Sequence, residues 1–218
     1  EQTVMVKTAM TSQRVHIGLV LCIASFTLSR AEDPPVPWVG VLNLTNFYRA
    51  RHQAQPLVWD SSIANSSQAW ASNCTFVHAT GTGLGENLYA TGVIDTSDPA
   101  LQKATQAWYD EVSFYTDYSL ANPVDFSNVG HFTQLVWNST TSMGCGVATC
   151  GPNFTATMPN ATFVVCRFRP PGNYIGQYNK NVFPPPGWVP PTTSTASATT
   201  TPSPAGTGTA QPGGTTAA

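Results

Sequence analysis

The pattern of apolar and polar positions predicts a first amphipathic helix about 40 residues into the chain. In VGVLNLTNFYRARHQ, apolar side chains stand at Val41, Leu44, Phe47 and Tyr48, near helical spacing. Side chains at this spacing lie on one face of a helix. Pro56 is expected to stop the helix, because proline removes a backbone donor and clashes with the preceding turn.

Capping residues mark the beginnings of two further helices. Asp60 is a suitable N-cap for a second helix that carries Ile63, Ala64 and Ala71. A third helix is predicted with Asp98 as its N-cap, followed by a proline at the first helical position. Its apolar face comprises Ala100, Ala104, Ala107, Trp108 and Val112.

Two short segments in the second half of the chain have the composition of β-strands. MGCGVATC and ATFVVCRF are separated by GPNFTATMPN, which is rich in turn residues. The second strand is rich in β-branched and aromatic residues. Helices combined with a small sheet predict an α+β domain or a layered α/β/α unit.

The amino-terminal segment is predicted to be a secretory signal peptide, residues 1–31, rather than part of the fold. Arg14 precedes an apolar run of about a dozen residues, and small residues around Ala31 mark a cleavage site. Met10 is a natural initiator, so residues 1–9 are expected to lie upstream of the signal itself. The run is shorter than the roughly 20 residues of a spanning helix. We therefore expect a secreted, extracellular protein with no transmembrane segment in the mature chain, an uncleaved anchor being the alternative.

Composition divides the rest of the chain into three parts. Residues 32–37 form a Pro-rich leader, residues 38–183 hold the predicted helices and strands, and residues 184–218 are rich in Pro, Ser and Thr. The last part has too few apolar side chains to offset the entropy of ordering, so it is predicted to be a disordered tail. Its composition is that of an O-glycosylated stalk.

The charge of the chain excludes one class of partner. Charged residues make up 9% of the sequence and the formal net charge is -2. Because Lys and Arg are scarce and not clustered, no nucleic-acid partner is expected. The glycines of GTGLGENL resemble a phosphate loop, but no lysine follows them, so nucleotide binding is rejected as well.

Cysteines and sequons both favour an oxidising, extracellular setting. Of five cysteines, Cys22 lies in the signal peptide, which leaves an even set of four with three possible pairings. The four are Cys74, Cys145, Cys150 and Cys166. Six Asn-x-Ser/Thr sequons favour a glycoprotein. They lie at Asn43, Asn65, Asn73, Asn138, Asn153 and Asn160.

Two histidines and two glutamates stand in apolar or aromatic surroundings, which is unusual for charged groups. They are His78, Glu86, Glu111 and His131. Two imidazoles with nearby carboxylates can bind a divalent ion such as zinc. The four are dispersed along the chain and form no HExxH motif, so separate hydrogen bonding of each residue is the alternative.

Several motifs together resemble the CAP superfamily, which contains cysteine-rich secretory proteins, venom antigen 5 and plant pathogenesis-related proteins of type one. GHFTQLVW followed by MGCGVATC resembles one signature of the family, and VVCRFRPPGNYIGQ resembles another. FVHATG, GENLYA and WYDE match the family in spacing and order. The resemblance covers residues 38–183 and implies a three-layer α-β-α sandwich. It also implies that the two histidines and two glutamates share one cavity able to hold a divalent metal.

The resemblance implies the disulfide pairing. Cys74 would pair with Cys150 and Cys145 with Cys166, and neighbouring strands could bring the second pair within disulfide distance. Plant members have a cysteine where this chain has Val129 and another shortly upstream, so a third bridge is not expected.

The fungal relatives imply a ligand. They bind and export sterols, and the segment SFYTDYSLANPVDF occupies the position of their sterol-binding loop. It offers the candidate lipid-binding residues Phe114, Tyr115, Tyr118, Leu120 and Phe126. The alternative is that these side chains only cover the edge of the core. A sterol or other small hydrophobic molecule is the expected partner, with contact to a cell wall or host surface as a further possibility.

No catalytic residue is assigned, because no serine stands in a nucleophile motif such as GxSxG. Two other functions stay open: a metal-dependent hydrolase or protease that uses the His/Glu set, and a signalling or defence protein that acts through a surface peptide. Gln134 is expected near the cavity or bonded to backbone, and His52 is expected on the surface. Positions in the core or on a helix face are expected for Trp59, Trp70, Trp108 and Trp137.

Overall fold

The computed structural model describes residues 32–152 and 154–191, together with the backbone of residues 215–217. The signal peptide expected at residues 1–31 lies outside the described residues, as do residues 192–214 of the expected tail. Nothing in the described part therefore bears on the signal peptide.

The described residues form five helices and five strands. The helices are α1 (Val39–Arg51), α2 (Ser61–Ser72), α3 (Asp98–Asp110), α4 (Gly130–Leu135) and α5 (Tyr178–Asn181), with 3₁₀ turns at Glu111–Phe114 and Phe126–Asn128. The strands are β1 (Val58–Trp59), β2 (Gly85–Thr91), β3 (Ser142–Cys150), β4 (Ala161–Arg169) and β5 (Thr215–Ala217). They form one sheet in the order β1-β3-β4-β2-β5, in which only the β1–β3 pairing is parallel.

The sheet is the middle of three layers. On one face, α2 lies directly against β3, because Gly144 and Gly146 have no side chain: a Cβ at either position would lie 2.3 Å from the α2 backbone. The core on this side includes Leu88, Phe163 and Val165. The larger core on the opposite face packs the sheet against α1, α3 and α4. The α+β fold, a three-layer α-β-α sandwich, is confirmed.

Helix boundaries follow the sequence signals in part. Asp60 caps α2 as predicted, since its carboxylate accepts hydrogen bonds from the N–H groups of Ser62 and Ile63 at 2.9 and 3.1 Å. For α3, however, the N-cap is Ser97, and Asp98 is the first helical residue. The Asp98 carboxylate accepts a hydrogen bond from the N–H of Gly40 at 2.9 Å, so a tertiary contact to α1 replaces the predicted cap.

The predicted disulfides are confirmed. Cys74 is bonded to Cys150 with the Cα atoms 5.5 Å apart, and Cys145 is bonded to Cys166 with the Cα atoms 4.1 Å apart. The second pair joins opposite positions of β3 and β4, so it reinforces two strands already in register. The first ties the end of α2 to the end of β3 and closes the larger loop.

The folded part continues beyond residue 183. Gln53 donates a hydrogen bond to the carbonyl of Pro184 at 2.9 Å, and the ring of Trp188 packs edge-on against Tyr118 with centroids 5.3 Å apart. Further along, β5 pairs with β2 as an antiparallel edge strand. Within the described residues, the expected tail thus contributes one aromatic anchor and one short strand.

Candidate functional site

The two histidines and two glutamates of the predicted metal site form two separate pairs. The first pair joins Glu111 to His131. His131 lies in α4 with a side chain only 2% exposed, and its Nδ1 lies 2.6 Å from Oε1 of Glu111. The other carboxylate oxygen accepts hydrogen bonds from the N–H groups of His131 and Phe132 at 2.9 and 3.0 Å. Trp108 of α3 lies nearly parallel to the imidazole, with centroids 6.4 Å apart. One carboxylate therefore fixes both the imidazole ring and the start of α4.

This pair also closes a loop. Glu111 directly follows α3, and His131 is the second residue of α4, so residues 112–130 form a loop whose two ends are joined by the Glu111 hydrogen bonds. The segment expected to bind lipid, residues 113–126, lies inside this loop. Its base is thus held by the residues that the sequence marked as a metal site.

The far end of α4 is held by a buried arginine. Arg49 of α1 is fully buried and donates hydrogen bonds to the carbonyls of Leu135, Trp137 and Thr140 at 2.9, 3.0 and 2.9 Å, and to that of Gln55 at 2.8 Å. Burial lowers the pKa of Arg49 to about 10. The guanidinium thereby satisfies carbonyls at the carboxyl end of α4, where a positive charge is favourable.

The second pair joins His78 to Glu86 at the start of β2. The Nδ1 of His78 lies 2.8 Å from Oε1 of Glu86, which also accepts a hydrogen bond from the N–H of Ala79 at 3.0 Å. Oε2 of Glu86 accepts a hydrogen bond from Nε of Arg167 at 2.7 Å. Burial alone would raise the pKa of Glu86, but the hydrogen bonds from His78, Arg167 and Ala79 outweigh it, so this pKa lies below its ordinary value.

Neighbouring positions of β2 connect the two pairs. Arg167, which holds Glu86, also donates to the carbonyl of Ser66 on α2 at 3.0 Å. The next residue, Asn87, donates to the carbonyl of His131 at 3.1 Å. Successive side chains of a strand point to opposite faces of the sheet. Glu86 therefore meets Arg167 on the face of the sheet that carries α2, and Asn87 meets the His131 carbonyl on the face that carries α4.

Within residues 32–152 and 154–191, no group of three or more His, Cys, Asp or Glu side chains is arranged to hold a metal ion. Both carboxylates of the two pairs accept hydrogen bonds from N–H groups. Each imidazole faces its glutamate through Nδ1, so a metal would have to bind Nε2 of His78 and of His131. Carboxylates commonly orient metal-binding histidines in this way, but catalytic zinc sites usually have three protein ligands.

The aromatic residues of the lipid-binding candidate fall into two groups. Tyr115 and Tyr118 are buried, 4% and 6% exposed, and pack edge-to-face with centroids 4.9 Å apart. Phe114 and Phe126 are 66% and 43% exposed. The loop therefore has a buried aromatic floor and an exposed apolar outer surface.

A cavity of about 340 Å³, which we call the loop cavity, lies within this segment. It is lined by Phe114, Tyr115, Thr116, Asp117, Leu120, Pro123, Val124, Asp125, Asn128 and Val129. A second cavity of about 410 Å³ shares Pro123 with it and is lined by Asn122, Pro123, Phe126, Asn173, Ile175 and Tyr178. Four of the five candidate lipid-binding residues line one cavity or the other, whereas Tyr118 lines neither.

The prediction that His52 lies on the surface is wrong. His52 is fully buried, with Nδ1 2.8 Å from the carbonyl oxygen of Phe183 and Nε2 3.2 Å from the hydroxyl of Tyr109. Burial lowers the pKa of His52, the Phe183 carbonyl opposes the shift, and the charge of Arg51 adds to it. The polar neighbours of His52 in sequence gave no sign of the segment that covers it.

Other expected positions are mostly as the sequence suggested. Trp59, Trp108 and Trp137 are fully buried, whereas Trp70 is half-buried. Gln134 is buried and accepts a hydrogen bond from the N–H of Gly172 at 2.7 Å, so it bonds to backbone. Among the sequons, Asn138 is half-buried and Asn153 lies outside the described residues. The exposed sequon asparagines are Asn43, Asn65, Asn73 and Asn160.

A disulfide-bonded α-β-α sandwich with two glutamate-held histidines defines a narrow class of protein. Residues 42–168, more than half of the chain, match the family described as CAP, cysteine-rich secretory protein family. The chain belongs to this family. It is 38% identical over 149 residues to a probable pathogenesis-related protein of Arthroderma benhamiae, which covers 65% of this chain and 47% of that protein. A probable pathogenesis-related protein of Candida albicans is 38% identical over 142 residues, covering 64% of this chain and 62% of that protein.

Solved structures agree on the fold. The crystal structure of NaASP2 with Zn2+ is 27% identical with a TM-score of 0.54, over 67% of this chain and 84% of that one. Na-ASP-1 is 26% identical with a TM-score of 0.54, over 72% of this chain and 44% of that one. This chain spans about half the length of the Arthroderma protein. None of the helices within the described residues is long and apolar enough to cross a membrane.

Proposed function

We propose that this chain is a secreted protein that binds and exports sterols or related small hydrophobic molecules through the loop at residues 113–126. The observation that carries the proposal is the loop cavity, about 340 Å³ and bordered by exposed apolar side chains. Phe114 is 66% exposed and Val124 is 94% exposed. Ligand cavities typically measure about 300–1,000 Å³ and have mainly apolar walls.

The expected affinity follows from the area that a sterol would bury. A few hundred Å² of apolar surface removed from water contributes on the order of 8–10 kcal/mol at about 25 cal/mol/Å². Immobilising the ligand and ordering the loop offset several kcal/mol of this gain. Dissociation constants in the micromolar range are therefore expected.

Capture of radiolabelled cholesterol by the purified protein tests the proposal. Phe114→Ser removes apolar wall from the loop cavity and should weaken capture. Phe47→Ser is the matched control, because Phe47 lies on α1 and is similarly exposed at 56%, yet lines neither cavity. Capture no greater than that of an unrelated secreted protein would refute sterol binding, and equal loss in both variants would refute the assignment to the loop.

A second proposal concerns a divalent metal, such as zinc, held by the two imidazoles. The His–Glu pairs support it, since each glutamate orients one ring through Nδ1 at 2.8 Å (His78) or 2.6 Å (His131). The related protein NaASP2 adds support, because its crystal structure is one with Zn2+. Both glutamates would act behind the ligands and not as ligands. Zinc, when bound, would supply Lewis acidity that polarises a water molecule.

Calorimetric titration with zinc tests this second proposal. Binding is expected to be weak, because the two imidazoles supply only two protein ligands, and weaker still in acid, since protons compete with the metal for the imidazole nitrogens. His78→Ala should reduce the affinity, whereas the contacts of Arg49 with α4 stay intact in that variant. Unchanged zinc affinity in His78→Ala would contradict the assignment. Turnover of a substrate that disappears in His131→Ala would instead favour a metal-dependent hydrolase.

Secretion is proposed on separate grounds. The matched family is described as secretory, and two disulfides are stable mainly in oxidising compartments. Expression in a eukaryotic host should therefore deliver the protein to the medium with both disulfides formed. Retention of all of it inside the cell would contradict the proposal.

A further inference from the structure

A short segment after α5 is attached to the end of α1. We call this segment, residues 183–188, the strap. Nδ1 of His52 lies 2.8 Å from the carbonyl oxygen of Phe183. The side chain of Gln53 donates a hydrogen bond to the carbonyl of Pro184 at 2.9 Å. One end of the strap is therefore fixed by the two side chains that directly follow α1.

The other end of the strap covers part of the loop of residues 112–130. The ring of Trp188 packs edge-on against Tyr118, with centroids 5.3 Å apart. Tyr118 in turn stacks against the imidazole of His52, with centroids 6.0 Å and planes 23° apart. His52 therefore contacts the strap through Phe183 and the loop through Tyr118. One side chain thus connects two segments that are far apart in sequence.

The strap depends on side chains for its attachment. Residues 184–186 are prolines, which have no backbone N–H to donate. The helices beside it are held by backbone hydrogen bonds along their length. Segments with few protected backbone hydrogen bonds open locally at a lower free energy than helices or strands do. The strap is therefore the part of this core that is expected to open first.

The imidazole of His52 is fully buried among several elements. From α3, the hydroxyl of Tyr109 lies 3.2 Å from Nε2, and from the loop Tyr118 stacks on the ring. From α4, Phe132 packs edge-on with centroids 5.0 Å apart. The charge of Arg51, the last residue of α1, acts on the ring and has the same sign as an imidazolium. None of these neighbours is a carboxylate that would neutralise a protonated ring.

Protonation of His52 is unfavourable while the strap is in place. Burial lowers the pKa of His52, the Phe183 carbonyl opposes this shift, and the charge of Arg51 adds to it. Detachment of the strap would let water solvate the imidazolium, so protons favour the detached state. Attachment is therefore fully favourable above the ordinary pKa of 6.5 and weakens as the pH falls below that value.

We propose that the strap and His52 form an acid-sensitive device that keeps the loop of residues 112–130 closed at neutral pH and loosens it in acid. When His52 is protonated the strap detaches, and Tyr118 loses the ring of Trp188 that covers it. Neither His52 nor Trp188 lines the loop cavity, so the device acts on the loop from behind. One consequence rests on the proposed lipid-binding function: a bound lipid should leave faster in acid.

Hydrogen–deuterium exchange followed by mass spectrometry tests the device without any ligand. Exchange is compared at about pH 7 and about pH 5, with times scaled to the intrinsic pH dependence of amide exchange. Peptides that cover the strap and the loop should exchange about threefold faster or more in acid. Peptides of β4, in the centre of the sheet, should keep their protection.

Three variants assign the effect. His52→Gln keeps a side chain that forms hydrogen bonds but does not titrate, so the strap and loop should exchange equally at both pH values. His78→Gln is the matched control, because it removes a histidine that pairs with Glu86 at the start of β2, and it should keep the acid response. Trp188→Leu removes the ring from Tyr118 and leaves His52 in place, so its loop should exchange faster already at neutral pH.

Several results would overturn the proposal. They are equal wild-type protection at both pH values, and an acid response that persists in His52→Gln. Wild-type protection of the loop in Trp188→Leu would overturn it too, even if His52→Gln did not fold. Dissociation of radiolabelled cholesterol, measured at the same two pH values, tests the consequence for lipid release, and equal rates would refute that step. Failure to bind cholesterol at all would refute the proposed function, whereas the exchange experiment would still decide on the device.

Discussion

Replacing Arg167 by methionine should expose how strongly the Glu86 carboxylate depends on its partner. Glu86 and Arg167 have side chains 7% and 3% exposed, and the Nε–Oε2 distance is 2.7 Å. Methionine keeps a flexible apolar stem but loses the charge and the hydrogen bonds to Ser66. Breaking a buried ion pair typically costs about 3–5 kcal/mol. We expect about 3 kcal/mol, because His78 and the N–H of Ala79 still bond to the carboxylate.

The sign of the pH dependence follows from the pKa of Glu86. This pKa lies below its ordinary value of 4.5 in the folded protein. The carboxylate therefore contributes stability that is present above pH 4.5 and lost as the pH falls through the lowered pKa. Without Arg167 less opposes the effect of burial, so the pKa of Glu86 rises. The deficit of Arg167→Met should thus be largest near pH 7 and shrink in acid.

Urea unfolding followed by circular dichroism at pH 7 and about pH 4 measures both effects. Arg169→Met is the control, since Arg169 is 51% exposed and its ion pair with Asp60 should contribute less than about 1 kcal/mol. The double variant Arg167→Met with Glu86→Gln should recover part of the loss. A deficit below about 1 kcal/mol at pH 7, or the same deficit at both pH values, would refute the reasoning.

Four further outcomes are expected. The free energy of unfolding should decrease as the pH drops below about 6.5, because the unfolded chain protonates His52 and the folded chain resists protonation. His52→Gln should lose that part of the pH dependence. The same dependence of unfolding free energy on pH in the variant and the wild type would contradict the assignment. Removing Cys74 and Cys150 together should cost about 2–5 kcal/mol in urea unfolding, and an unchanged midpoint would contradict a stabilising role. Glu111→Ala should weaken cholesterol capture by loosening the loop base, although it lines neither cavity; wild-type capture would contradict this. Mass spectrometry of secreted protein should place the mature amino terminus at Glu32, and any longer product would refute the cleavage site.

The elements with strong local signals were predictable. The cap at Asp60 and the two long strands follow from residue types that favour those structures wherever they occur. Strand β2 was not predicted, because Leu88, Tyr89 and Ala90 are all buried and show no alternation of apolar and polar residues. A run buried on both faces cannot be told from other apolar segments by its period alone.

The candidate site was predictable only as far as a resemblance reached. The four His and Glu residues stood out by their apolar or aromatic surroundings, and the family motifs added the expectation of one shared cavity. Their division into two pairs depends on strand register, which places Glu86 opposite Arg167. An arginine within the apolar strand ATFVVCRF was a signal for a buried partner. Its partner could not be identified, because 81 residues separate it from Glu86 in sequence. His52 was misplaced for the same reason, since Phe183 lies 131 residues away.

The Glu111–His131 pair offers a reason for a His–Glu set in a protein whose proposed function is to bind lipid rather than to catalyse a reaction. Closing a loop of about this length costs roughly 3 kcal/mol of chain entropy. The three hydrogen bonds that Glu111 makes at its base contribute about 1 kcal/mol each, which is comparable. Loss of function on mutating Glu111 would thus follow from an open loop as readily as from lost chemistry. Variants at Phe114 separate the two explanations, because this side chain lines the loop cavity and takes no part in the hydrogen bonds of either His–Glu pair.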